Sequence, residues 1–154
     1  MPGNIDIIYS KVLDRYIEIE YSTKLCSLRF VQPGKQLKEK KTFGATFELE
    51  RYFEGEINDF SFDVDISHLS PFVQKVLTET RKIKYGKTMT YSELAEKIGS
   101  KAYRAVGNAL GKNPLPIVIP CHRVLAKQGI GGYSGGMDIK TRLLELEKIN
   151  VNNL

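Results

Sequence analysis

The spacing of apolar residues changes character once along this chain, and that change limits the folds open to it. In residues 5–31 they recur with a period near two: Ile5, Ile7 and Tyr9, then residues 16–21 (YIEIEY), then residues 25–31 (LCSLRFV). Successive side chains of a strand point to opposite faces, so three such runs bounded by turn residues predict three strands of an antiparallel sheet. Residues 43–53 (FGATFELERYF) switch to helical spacing, with Phe43, Phe47 and Phe53 expected on one broad face. Residues 59–66 (DFSFDVDI) alternate again, as one more strand or an extended connector. From Ser70 onward the signals are helical.

Ser70-Pro71 reads as a helix start, a capping hydroxyl followed by proline where its missing N–H does no harm. Phe72, Val76, Leu77 and Ile83 supply the apolar stripe of that helix. At 154 residues the chain accommodates one generous domain or two small ones. The change of periodicity places a boundary near residues 67–71, giving expected domains of 1–68 and 69–154. Thr90 and Glu93 form a capping box for residues 91–98, closed by Gly99, and Ser100 is expected to cap a second helix over residues 101–111. Two short helices joined by a tight glycine-containing turn read as a helix-turn-helix. The second helix is built from small residues, Ala102, Ala105, Gly107, Ala109 and Gly111, around one long cation, Arg104. Such a helix is slim enough to enter a narrow groove, or else to pack tightly in a core.

Charge divides the chain at the same place. The formal net charge is +5, made of −3 over residues 1–70 and +8 over residues 71–154. A basic half of that strength attracts a polyanion, the plain alternative being a solvated basic surface. No apolar run reaches the roughly 18 residues of a membrane span. The N-terminus has no charged-then-apolar leader pattern, so a cytoplasmic location is expected. Two cysteines, Cys26 and Cys121, make no disulfide framework. Cys26 lies within a strand pattern and is expected to be buried packing, and His68 near the boundary is expected to be structural. A zinc site from Cys26, His68, Cys121 and His122 would lack any familiar ligand spacing, so no metal is expected.

Chemistry concentrates at residues 117–125 (IVIPCHRVL). Ile117, Val118 and Ile119 favour a buried extended segment, while Pro116 and Pro120 deny it a place inside a sheet. The expectation is a short, stiff loop anchored in the core that holds Cys121 still. A thiol becomes a strong nucleophile when a neighbouring charge or base lowers its pKa, and His122 and Arg123 adjoin it. The alternative is an inert core thiol.

Taken together, Tyr91-Ser92, Arg104-Ala105-Val106-Gly107, Gly111-Lys112-Asn113-Pro114, Ile119-Pro120-Cys121-His122-Arg123-Val124, Gly132-Tyr133-Ser134-Gly135-Gly136 and Leu143-Leu144-Glu145-Leu146-Glu147 resemble the O6-alkylguanine-DNA alkyltransferases. The resemblance covers residues 70–148 strongly and the first part only in general layout. It implies an α+β protein: an N-terminal antiparallel sheet with a helix, like that of ribonuclease H, and a C-terminal helical domain with a helix-turn-helix of winged-helix type. The implied activity is transfer of the alkyl group of O6-alkylguanine, mainly O6-methylguanine, to Cys121. The sulfur is expected to be deprotonated at the bottom of a cavity sized for an everted purine.

The roles implied are His122 as base through a water, Glu147 as the acid that orients it, and Tyr91 as donor to the guanine ring. Arg104 would fill the vacated base stack, with Ala102, Ala105 and Gly107 along the DNA-facing helix. Asn113 would tie that helix to the cysteine loop, while Val124, Tyr133 and Ser134 would contact the flipped base under a glycine-rich lid. Asp138 would cap the last helix, docked by Leu143, Leu144 and Leu146. Tyr103 departs from the pattern, being bulky for a slim helix. The resemblance also implies a single-turnover monomer acting on double-stranded DNA, with no cofactor. A binding-only protein that recognises alkylated bases, or a cysteine hydrolase that turns over, are the other classes compatible with these residues.

Overall fold

The computed structural model describes residues 4–32 and 34–154, and the chain divides into two compact units, Met1–Ile66 and Ser67–Leu154. In the first, β1 (Asn4–Ser10), β2 (Arg15–Tyr21) and β3 (Leu25–Phe30) form an antiparallel sheet in the order β1-β2-β3. Residues 59–66 make one isolated bridge, Leu25 to Val64, so they are an extended connector and not a fourth strand. Helix α1 (Gly44–Phe53) packs beside β1.

The side-chain phase within this unit differs from the sequence expectation in two places. Strand β1 buries Asp6, Ile8 and Ser10, leaving Ile5 and Tyr9 exposed. Helix α1 buries Ala45, Leu49 and Tyr52, spaced at i, i+4 and i+7, while Phe47 is 46% exposed. Asp6 explains both. Its carboxylate accepts from Thr42 N and Phe43 N at 2.8 Å and from Thr46 Oγ1 at 2.6 Å, capping α1 from the neighbouring strand and fixing which helix face turns inward. Burial pushes the Asp6 carboxyl up, but its bonds to Thr46, Phe43 and Thr42 outweigh that and hold it below the usual value. Its stabilisation is therefore present above about pH 4 and lost as the pH falls below that. Replacing Asp6 by Ala strands buried donors and is expected to cost about 3 kcal/mol. Denaturant unfolding of Asp6→Ala beside the wild type at pH 7 measures it, and a difference under about 0.5 kcal/mol would contradict this account. Cys26 is only half-buried, its Sγ donating to Lys24 O at 3.4 Å, because it falls on the outward face of β3. His68 is exposed.

The second unit begins with α2 (Pro71–Arg81), capped by Ser70, whose side chain accepts from Val73 N. Its buried stripe is Val73, Val76, Leu77 and Thr80, with Phe72 at 36% exposure. Helix α3 (Tyr91–Lys97) carries the Thr90–Glu93 capping box. Helix α4 (Tyr103–Leu110) starts two residues later than the spacing suggests. Ser100 Oγ accepts from Ala102 N and so closes the turn before the helix, and Ala102 occupies the cap position without a capping side chain. Strands β4 (Met89–Thr90) and β5 (Val124–Leu125) pair in parallel, Met89 with Val124 and Thr90 with Leu125. That short ladder brings the start of α3 alongside the segment that follows Cys121. Helix α5 (Met137–Leu146) follows, with Gly136 at φ 109° as its cap residue, and a 3₁₀ turn, Val151–Asn153, lies beyond it. Asp138 is therefore not the cap; it lies in the first turn, where a carboxylate complements the helix dipole.

Candidate active site

Residues 117–119 do not run extended. Ile119 N donates to Leu115 O at 2.9 Å, and Ile117 adopts φ 76°, a conformation that costs a β-branched residue about 1–3 kcal/mol. Two features hold it there. Ile117, Val118 and Ile119 are all buried, and Asn113 clamps both ends of the turn, accepting from Leu115 N at 2.8 Å and donating to Ile119 O at 2.9 Å. The turn delivers Cys121 to the head of a 3₁₀ turn, Cys121–Arg123, that runs straight into β5.

Cys121 is 8% exposed and lines a cavity of about 220 Å³. Tyr91 from the first turn of α3, Gly107, Leu110 and Gly111 from α4 and its end, and Gly132, Tyr133 and Ser134 from the glycine-rich loop complete the wall. Asn113 and Val124 do not line it; Asn113 acts on the turn behind the cysteine, and Val124 is fully buried in β5. Arg104 and Ala102 are exposed on α4 and its cap, and Ala105 is half-buried.

Behind the cysteine lies a buried cluster of charge. His122 Nε2 and Glu147 Oε2 are 2.7 Å apart with both side chains fully enclosed. Arg123 grips the same carboxylate with Nε on Oε1 at 2.8 Å and Nη2 on Oε2 at 2.9 Å, and Nη1 reaches Ile83 O at 2.6 Å. Gly86 N donates to Oε1 at 3.2 Å. A carboxylate held by a guanidinium accepts hydrogen bonds, which assigns the imidazole proton to Nε2 and leaves the Nδ1 lone pair unused. Nδ1 is indeed buried without a hydrogen-bond partner among the described residues, a position suited to a bridging water.

Burial pushes the His122 pKa down; Glu147 opposes this, and the charges of Arg123 and Lys140 reinforce it, so the ring is neutral at pH 7. Burial raises the Tyr91 hydroxyl, which therefore keeps its proton as a donor. Burial also raises the Cys121 thiol, against the opposing pull of the Asn113 side chain, the Lys140 charge and Tyr133. The resting sulfur is thus a thiol and not the deprotonated species expected from sequence, because desolvation in this enclosure exceeds the help of its neighbours.

Sequence reasoning missed Lys140. It is fully buried on α5, and Nζ donates to Val124 O at 2.8 Å and Gly132 O at 3.0 Å, joining the end of the cysteine turn to the cavity wall. Burial lowers its pKa to about 8, with Cys121 pulling it back up. A signal was present: Lys140, Leu143, Leu144 and Glu147 share one helical face at i, i+3, i+4 and i+7, and the leucines mark that face as the buried one.

Residues 71–149 match the sequence profile of the DNA-binding domain of 6-O-methylguanine DNA methyltransferase. The chain is 41% identical over 121 residues to a methylated-DNA--protein-cysteine methyltransferase of Sulfolobus acidocaldarius, covering 78% of this chain and 77% of that protein. The chain belongs to this methyltransferase family. A probable member from Acanthamoeba polyphaga mimivirus is 40% identical over 95% of this chain and 97% of its own length. The crystal structure of the Mycobacterium tuberculosis O6-methylguanine methyltransferase superposes with a TM-score of 0.83 at 33% identity, covering 96% of this chain and 93% of that one. The mycobacterial protein in complex with DNA gives 0.80 at 36% identity, over 92% and 91%. The methyltransferase fold is α+β, and the three-stranded antiparallel sheet and helix-turn-helix of this chain conform to it.

Proposed function

We propose that this methyltransferase repairs DNA by moving the alkyl group of O6-alkylguanine onto Sγ of Cys121. What carries the proposal is one sulfur in the wall of a cavity, with a hydroxyl donor on the same wall and a neutral histidine, proton on the far nitrogen, behind it. Family membership and the DNA complex of a relative support DNA as partner.

The alkyl carbon is sp³ and the purine oxygen is a poor leaving group, so the bond breaks only if sulfur attacks while the purine is protonated or hydrogen-bonded. His122 Nδ1 takes the thiol proton through a water, and the imidazolium is stabilised by the Glu147 carboxylate. The thiolate forms the S–C bond, the C–O electron pair passes to the guanine, and Tyr91 donates to the ring where that charge collects. A deprotonation coupled to substrate arrival suits a thiol that burial otherwise keeps protonated. The product is a thioether that no neighbouring group can cleave, so each molecule reacts once. A base in a duplex cannot reach the cavity, and eversion costs a few kcal/mol. Arg104, exposed on α4 beside small residues, fills the vacated stack. Residues 69–154 carry every group assigned here. Among the described residues no helix is long and apolar enough to cross a membrane, and no three His, Cys, Asp or Glu side chains group as metal ligands.

A duplex oligonucleotide containing O6-methylguanine is expected to add one methyl mass to Cys121. Intact-mass analysis with peptide mapping reads this, and unchanged protein with unchanged lesion would sink the proposal. Arg104→Ala is expected to slow duplex repair at least tenfold, the loss of roughly 1.4 kcal/mol of extrusion energy, with little change on free alkylguanine base. Equal losses on both substrates would refute the intercalating role.

A further inference from the structure

Tyr103 has no visible structural task. It is 49% exposed at the first position of α4, and among the described residues its ring stacks on no other ring and its hydroxyl makes no hydrogen bond. A single exposed aromatic is unremarkable by itself, but its surroundings are not random. Tyr103 lines a second hollow of about 420 Å³ with Thr90, Tyr91, Ser92 and Lys127. Tyr91 lines both this hollow and the cysteine cavity, so the two are neighbours. Lys127 is exposed and forms no ion pair among the described residues. Arg104, the next residue of α4, is a second exposed cation.

We propose that this hollow seats the nucleotide adjacent, on the damaged strand, to the everted one, with Tyr103 as a stacking face and Lys127 as the partner of its phosphate. The inference rests on the alkyl-transfer reading above and extends it to a flanking subsite. A ring face accepts any base, so the contact adds affinity without sequence preference, and the ammonium of Lys127, which lines the same hollow, meets the backbone charge. Because Tyr91 lines both hollows, a nucleotide seated in the second one lies next to the lesion in the first. Arg104 stands in for the everted base in the stack, and Tyr103 offers a further ring face to the nucleotide seated beside it.

The test compares alkylation rates on three substrates: free alkylguanine base, a single-stranded trinucleotide with the alkylguanine in the middle, and a duplex. For Tyr103→Ala we expect the trinucleotide and duplex rates to fall roughly tenfold and the free-base rate to stay within twofold. Tyr103→Phe, which keeps the ring, should restore the DNA rates. Lys127→Gln should flatten the dependence of log duplex affinity on log salt by about 0.9, one phosphate contact. Full trinucleotide activity in Tyr103→Ala, or an equal loss on free base, would overturn the subsite while leaving the alkyl-transfer reading intact. Wild-type protein inert toward all three substrates would overturn both.

Discussion

Glu147→Gln is expected to lower the alkyl-transfer rate by about 10²–10⁴-fold while leaving the cavity in place. The amide keeps the size of the carboxylate but loses its charge, and it can present N–H to His122 Nε2. That inverts the ring tautomer, placing the proton on Nδ1, the atom that receives the thiol proton in the proposed reaction. The same change leaves the Arg123 guanidinium buried without its anion, which costs about 3–5 kcal/mol. The two effects separate experimentally. Rates on free alkylguanine base, taken well below the unfolding transition, report the tautomer, and denaturant midpoints report the ion pair. A variant destabilised by that amount yet fully active per folded molecule would show that Glu147 only anchors Arg123.

Lys140→Met is expected to slow the reaction of Cys121 with a small neutral alkylating agent about tenfold at pH 7, because loss of the ammonium lets burial push the thiol pKa further up. Methionine fills similar space without charge, so Lys140 acts through the sulfur it faces and through the two carbonyls it joins. The other groups around that sulfur, Tyr91, Asn113, His122 and Tyr133, are unchanged in the variant. An unshifted pH profile of thiol alkylation would refute the electrostatic part.

Stability supplies a second reading of the same lysine. Its pKa falls from 10.5 to about 8 on folding, so between those values the unfolded chain binds the extra proton and stability rises with pH. The wild type minus variant difference should show that rise from about pH 8 to 10.5 and be flat below it. Removing a buried ammonium that has no carboxylate partner among the described residues need not destabilise the protein at pH 7.

Much of the local structure is legible in the chain. The three strands, the Ser70 cap with Pro71 behind it, the Thr90–Glu93 box and the order of the blocks around Cys121 all follow from contacts within a few residues. Such contacts leave a direct trace in spacing and residue type. Features that depend on a distant partner leave a weaker one. The period-two pattern of β1 announces a strand, but its inward phase depends on Asp6 finding the start of α1 some forty residues later. Ile117 and its neighbours read as extended because β-branched residues prefer that state; the Asn113 clamp and full burial override the preference.

By itself the sequence marked Cys121, His122 and Glu147 as candidates and showed the family to which the chain belongs, because each is a side-chain identity at a set place in the chain. Only the tertiary structure decided their protonation states. Enclosure raises the thiol, keeps His122 neutral and leaves its Nδ1 open, and it brings Lys140 from α5 to the cavity wall. Those outcomes depend on distance and on exclusion of water, quantities that come into being when the chain packs.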